Sequence, residues 1–188
     1  MKTKTLTSIQ LLEYILVLEP GTPVNDAIRK EIEKDELIQS KSSYSILLGS
    51  FQAKEELENT IVRWLQRIFN LQGSFPVTLN NFSGRPPHTI HLRIQDPGEI
   101  KKMINQFIMI DHFLQANDCP PAVLYFTPQL EISNNIPENI FNKILNEFSG
   151  KRFHESFIAE KVKLLRRSSF ESSFQLAYSF SLPPDSRY

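Results

Sequence analysis

Apolar residues in this chain switch between two spacings, and each switch marks an element. The run YILVL at 14–18 is unbroken and rich in β-formers, which predicts a buried strand ended by Glu19-Pro20-Gly21. Thr22 then offers an N-cap, with Pro23 at the first helical position. Val24, Ile28 and Ile32 follow at spacing four, the stripe of an amphipathic helix. The period next drops to two. In KSSYSILLGSF, residues 41–51, Tyr44, Ile46 and Leu48 alternate with Ser43, Ser45 and Leu47, and a Gly49-Ser50 turn closes the run. This predicts a strand with Ser43 and Ser45 on one face. A helix is predicted over 53–71, with Leu57, Ile61, Trp64, Leu65 and Ile68 inward and Glu55, Glu56 and Glu58 suiting its first turn. Trp64 therefore reads as core.

The middle of the chain keeps the shorter period. Phe75, Val77 and Leu79 alternate with polar residues, and so do Ile90, Leu92 and Ile94, with His91 and Arg93 on the other face. The turn-rich stretch 80–87 joins them as a hairpin. Pro97-Gly98 opens a helix with Ile100, Met103, Ile104, Phe107 and Ile108 inward, and NDCPP at 117–121 is the clearest break. A strand over 123–132 follows, then a helix started by Pro137 with Ile140, Phe141, Ile144, Leu145 and Phe148 inward. The last strand places Phe174, Leu176, Tyr178, Phe180 and Leu182 on one face. Helices and strands intermix, with hairpin-length links between strands. That pattern predicts α+β with mainly antiparallel sheet rather than a doubly wound parallel fold.

Composition narrows the function. The 188 residues carry 21 Lys+Arg and 21 Asp+Glu, so phosphate contacts are not the main source of affinity for any nucleic acid, though a local basic patch is allowed. The 14 phenylalanines give the core its bulk. Cys119 is the single cysteine, so no internal disulfide forms and a reducing compartment is expected. As a nucleophile Cys119 lacks a nominated base. The apolar run at 11–18 is interrupted by Glu13 and is too short to span a membrane. A cytoplasmic protein with no membrane partner is expected. No His/Asp/Glu spacing forms a metal ligand set. The mixed charges over 31–36 read as a solvated helix end. Arg166-Arg167-Ser168-Ser169 forms a concentrated basic turn after a strand.

Taken in order, YILVLEP, KSSYSILLGSF, FPVTLNNFSG with TIHLRIQD, PQLEISNNIP and VKLLRRS resemble the 2H phosphoesterase superfamily, in its 2′-5′ RNA ligase and cyclic phosphodiesterase branch. The resemblance implies one bilobal domain over 1–188. Two pseudo-symmetric lobes of mainly antiparallel sheet would carry helices outside and enclose a central cleft. Each lobe of that family contributes a His-hydrophobic-Thr/Ser-hydrophobic strand. Here the first histidine position falls on Ser43 and its Thr/Ser partner on Ser45. The second pair falls on Gln129 and Glu131, with Pro128, Leu130 and Ile132 keeping the frame.

That loss is severe for the implied chemistry. One histidine takes a proton and the other gives one, because imidazole titrates near neutrality. A serine hydroxyl needs an activating base, and a glutamine amide does not titrate. A carboxylate at Glu131 would repel a phosphate oxygen by about 1–4 kcal/mol at 4 Å. The four histidines, His88, His91, His112 and His154, lie in none of these frames. The resemblance therefore implies a 2′-5′ RNA ligase-like protein that is inactive by the two-histidine route. It would act as a binding or regulatory module for a nucleotide, an RNA end or another small ligand, with no cofactor and no metal. Lys41, His91, Arg93, Arg166 and Arg167 are its candidate ligand contacts, and the arginine forks suit phosphate. A different enzyme is the second reading, with Glu131 as base and Arg93, Arg166 or Arg167 as electrostatic stabilisers. A structural or protein-interaction role is the third, and a cleft filled by side chains would favour it.

Overall fold

The computed structural model describes residues 11–34, 38, 40–85 and 88–185. Its strands are β1 (Leu11–Leu18), β2 (Ile46–Lys54), β3 (Phe75–Arg85), β4 (Thr89–Gln95), β5 (Val123–Leu124), β6 (Gln129–Ser133), β7 (His154–Ala159), β8 (Lys161–Arg167) and β9 (Gln175–Ser181). Its helices are α1 (Thr22–Ile32), α2 (Glu58–Leu71), α3 (Gly98–Gln106), α4 (Ile108–Ala116) and α5 (Glu138–Ser149). The strands form one sheet in the order β7-β3-β4-β6-β2-β1-β8-β9, with β5 paired to β2 off that path. Every pairing is antiparallel. The protein is α+β, as the sequence predicts.

Four strands lie on each side of the β6–β2 junction, and that junction has a single registered pair, Ile46 with Leu130. Alternation assigns the two faces of the sheet. Tyr14, Leu16, Leu18, Ile46, Leu48, Leu79, Leu92, Leu130, Ile132 and Leu164 join one buried cluster with Ile28, Leu65, Met103, Ile144 and Phe148 from the helices. Burying a side chain of this size stabilises by about 1.5–3 kcal/mol. The intervening residues, including Ser45, Leu47, Gln129 and Glu131, are left on the face away from that cluster. Among the described residues no helix is long and apolar enough to cross a membrane.

Several boundaries differ from the sequence reading. Gly21, with extended backbone and no side-chain cap, is the N-cap of α1, and Thr22 is already helical. Gly49-Ser50 is not a turn, because β2 runs through it to Lys54. A Cβ on Gly49 would lie 3.3 Å from the Val123 carbonyl and from a Leu124 methyl, so glycine here admits β5. Ala53 is a buried strand residue, and α2 starts only at Glu58, after a 3₁₀ turn over Glu55–Leu57.

The turn-rich stretch from 80 is also mostly strand. A bulge at Asn81 (φ 44°) lets β3 continue to Arg85. Asn81 donates its backbone N–H to the Phe153 carbonyl, and its side chain accepts the Phe153 N–H. Gly84 then allows α5 close, since a Cβ there would sit 2.6 Å from Leu145. Pro87 lies outside the described residues, as does Glu36 of the charged helix end. The helix from Gly98 breaks at Phe107, whose N–H bonds back to the Ile104 carbonyl in a 3₁₀ step. Ile108 is consequently exposed, and Ile110 and Leu114 take the inward positions. The stretch 123–132 is two strands: Tyr125 still donates its N–H to the Leu48 carbonyl of β2, and a bend at 126–127 separates β5 from β6. Phe180 on β9 and Leu182 just after it are buried, but Leu176 is 58% and Tyr178 41% exposed. The strand is at the sheet edge, and its register with β8 slips between Leu164 and Leu165.

Candidate functional site

A cavity of about 250 Å³ lies where the two sets of four strands meet. Ser43, Ser45, Gln129 and Glu131 all line it, together with Lys41. Their convergence follows from packing. Leu130 and Ile132 are fully buried, which turns Gln129 and Glu131 to the other face of β6. Ser43 and Ser45 precede β2 rather than lie within it, so hydrogen bonds from α1 hold that segment. Asn25, itself buried, donates to the Pro20 carbonyl at 2.8 Å and accepts the Tyr44 N–H at 3.0 Å. The Tyr44 hydroxyl accepts the Lys41 N–H at 3.1 Å, and Arg29 donates to the Ser42 carbonyl at 3.0 Å. With Tyr44 buried, the serines on either side of it face the cavity.

Ile15, Val17 and Leu47 give the cavity an apolar wall. Arg85, Tyr125 and Thr127 complete its polar lining. Sequence reading missed these three because the β4–β6 pairing brings the end of the β3–β4 hairpin toward the cavity, and the β5–β2 pairing places the segment after β5. It also missed Asn25, which carries a signal: a polar residue at spacing three and seven before Ile28 and Ile32, inside the apolar stripe. Glu131 Oε1 accepts from Asn134 at 2.8 Å and lies 3.5 Å from Lys41 Nζ. Arg85 has no ion pair among the described residues. Among the described residues the lining thus holds two cations and one carboxylate, and no histidine. The described residues contain no group of three or more His, Cys, Asp or Glu that could hold a metal ion.

The other sequence candidates lie elsewhere. His91 and Arg93 stand opposite Glu131 and Gln129 on the neighbouring strand β4, but neither lines the cavity. His91 is only 9% exposed, and its Nδ1 is buried without a hydrogen-bond partner. Burial first, then Arg85 and Arg93, hold its pKa below the usual histidine value. Arg166 and Arg167 do not form a turn; both belong to β8. Arg166 donates to Glu58 of α2 at 2.7 Å, and the same carboxylate oxygen accepts the Tyr14 hydroxyl at 2.8 Å. Burial, and then the Glu58 contact, raise the Tyr14 pKa far above the usual phenol value. Arg167 pairs with Glu13 and stacks over the rings of Phe170 and Phe174. Both arginines line a separate cavity of about 300 Å³ with Ser168, Ser172 and Ser173. His112 and His154 are exposed, and the thiol of buried Cys119 points to the Asn117 carbonyl.

No protein-family model matches the sequence, and no curated sequence is similar to it. Solved structures are similar in fold. E. coli LigT complexed with 3′-AMP superposes with a TM-score of 0.69 at 13% identity, covering 92% of this chain and 98% of that one. A structure described as a phosphoesterase gives 0.68 at 12% identity, covering 91% and 98%. TT0787 of Thermus thermophilus gives 0.63 at 13% identity, covering 92% and 99%. At such identities the similarity is one of architecture, and this chain has the fold of LigT.

Proposed function

We propose that this chain is a single bilobal 2H phosphoesterase-like domain that has lost two-histidine catalysis and keeps its cavity to bind a nucleotide-like ligand. One observation carries the reading. All four motif positions, Ser43, Ser45, Gln129 and Glu131, share one cavity, and among the described residues no histidine lines it. The strand frames are kept by the core, while the groups that would move protons are gone. The lining suits a small anion with an organic body: Lys41 and Arg85 for charge, an apolar wall of Ile15, Val17 and Leu47, and Tyr125 beside them. E. coli LigT, which has this fold, forms complexes with 3′-AMP, NADP+, ATP and phosphate.

The enzyme reading built on Glu131 has less support. Its carboxylate is engaged by Asn134 and Lys41, and Arg93, Arg166 and Arg167 do not line the cavity. The interaction reading expected a cleft filled by side chains, and this one is open. The deciding experiment pairs calorimetric titration with 3′-AMP, ATP and NADP+ with an assay of 2′,3′-cyclic AMP hydrolysis. Binding without turnover is expected. Hydrolysis abolished by Ser43→Ala or Gln129→Ala would overturn the non-catalytic reading, and hydrolysis abolished by Glu131→Gln would install the enzyme reading in its place.

A further inference from the structure

We propose that the cavity reads the base of its nucleotide, taking guanine in preference to adenine, with Glu131 against the base and Arg85 against the phosphate. The proposal rests on the nucleotide-binding reading and adds which end lies where. Charge sets the direction. A carboxylate at Glu131 repels a phosphate oxygen, so the anionic end cannot lie against it. Lys41 is already opposite Glu131, at 3.5 Å. Arg85 is the lining cation without an ion pair among the described residues, and its planar fork matches phosphate oxygens. The phosphate therefore goes to Arg85 and the uncharged end to Glu131.

Sheet register gives the spacing. Arg85 is opposite Thr89 on β4, and Glu131 is opposite His91 on the same strand. The two positions are separated by two strand spacings and two residues, about 10 Å across the sheet and about 7 Å along it. An elongated ligand with charge at one end and a hydrogen-bonding edge at the other reaches both.

The edge follows from which oxygen is vacant. Both partners of Glu131, Lys41 and Asn134, fall on Oε1. Among the described residues no donor reaches Oε2. An ionised carboxylate only accepts hydrogen bonds. Guanine offers it adjacent N1–H and N2–H donors. Adenine places a lone pair at N1, which a carboxylate repels. Gln129, two residues along the same strand face, has an amide N–H to give to guanine O6.

The test is calorimetric titration of the full chain with 3′-GMP, 3′-IMP and 3′-AMP. Affinity should fall in that order, with 3′-GMP about tenfold or more tighter than 3′-AMP. Glu131→Gln should remove the preference, because an amide offers a donor as well as an acceptor. Equal or reversed affinities in the unmodified protein, which need no variant to fold, overturn the guanine assignment and leave nucleotide binding standing. A preference that survives in folded Glu131→Gln overturns it equally. If none of the three nucleotides binds, both this assignment and the reading beneath it fail.

Discussion

Two groups of cationic side chains sit on this sheet, and they are wired differently. On β8, Arg166 and Arg167 each meet a carboxylate, from Glu58 and Glu13. Glu58 also takes the hydroxyl of the fully buried Tyr14, so this cluster ties β8, β1 and α2 together. At the β6–β2 junction, Lys41 and Arg85 line a cavity with the carboxylate of Glu131. That carboxylate pairs with Lys41, and Arg85 is left without an ion pair among the described residues. A matched arginine helps hold the fold together and has little charge left to offer. An unmatched one beside a cavity leaves its charge uncompensated there. The pair that looked most like a phosphate site in the sequence is the matched one.

Four measurements break or sharpen that contrast. The largest effect is expected at the scaffold of the cavity. Asn25→Ala leaves the Pro20 carbonyl and the Tyr44 N–H without their side-chain partner, and should cost about 2–4 kcal/mol by urea denaturation. A loss under about 1 kcal/mol would remove Asn25 from the role of positioning residues 40–45. In the matched cluster, Glu58→Ala should cost about 1–3 kcal/mol, because the Tyr14 hydroxyl is buried without an acceptor. A neutral result would reduce this cluster to ordinary surface pairing.

A third effect is read as a pH dependence. The folded pKa of His91 lies below its unfolded value of about 6.5. Above that unfolded value its contribution is fully present. As the pH falls through the interval down to the folded pKa, the unfolded chain takes up a proton that the folded chain refuses, and stability drops. Denaturation midpoints compared at about pH 7.5 and about pH 5 should show this loss, reduced in His91→Asn. An unchanged pH dependence in the variant would refute it. The smallest stability change belongs to Arg85→Ala, expected within about 0.5 kcal/mol of the parent. The same substitution should weaken 3′-GMP binding about tenfold or more. A large stability loss would mean that Arg85, too, is structural.

Core positions were the legible part of this sequence. Tyr44, Ile46 and Leu48 are buried as their alternation predicts, and so are Ile28, Ile61, Ile104 and Phe148 along their helices. Periodicity reports burial, so it found what burial controls. Gly49 was misread because glycine marks either a turn or a close approach, and only the position of β5 separates the two. Leu176 and Tyr178 keep an inward rhythm in sequence, yet a bulged edge strand lacks the cover to bury them. At the cavity, Ser43, Ser45, Gln129 and Glu131 were legible through a resemblance in the order of elements. Arg85 and Tyr125 were not, because they reach the cavity through the β4–β6 and β2–β5 pairings, which join distant segments. The role of Arg166 depended on a helix carboxylate that no strand pattern reveals.

The route of the chain through the sheet bears on how the molecule assembles. β7, β3, β4 and β6 come from the continuous stretch 75–159, whereas β1 and β2 must wait for β8 and β9 from the C-terminal end. Tyr14 registers with Arg166, so closing that pair gathers almost the whole chain into one loop. Contacts this distant form late, since the entropy of closure precedes any gain from pairing. During refolding, pulsed hydrogen exchange should protect the amides of Leu79 and Leu92 before that of Leu164. Until that last hairpin arrives, β1 presents an open edge, and a nascent or truncated chain is at its most prone to pairing with a neighbour.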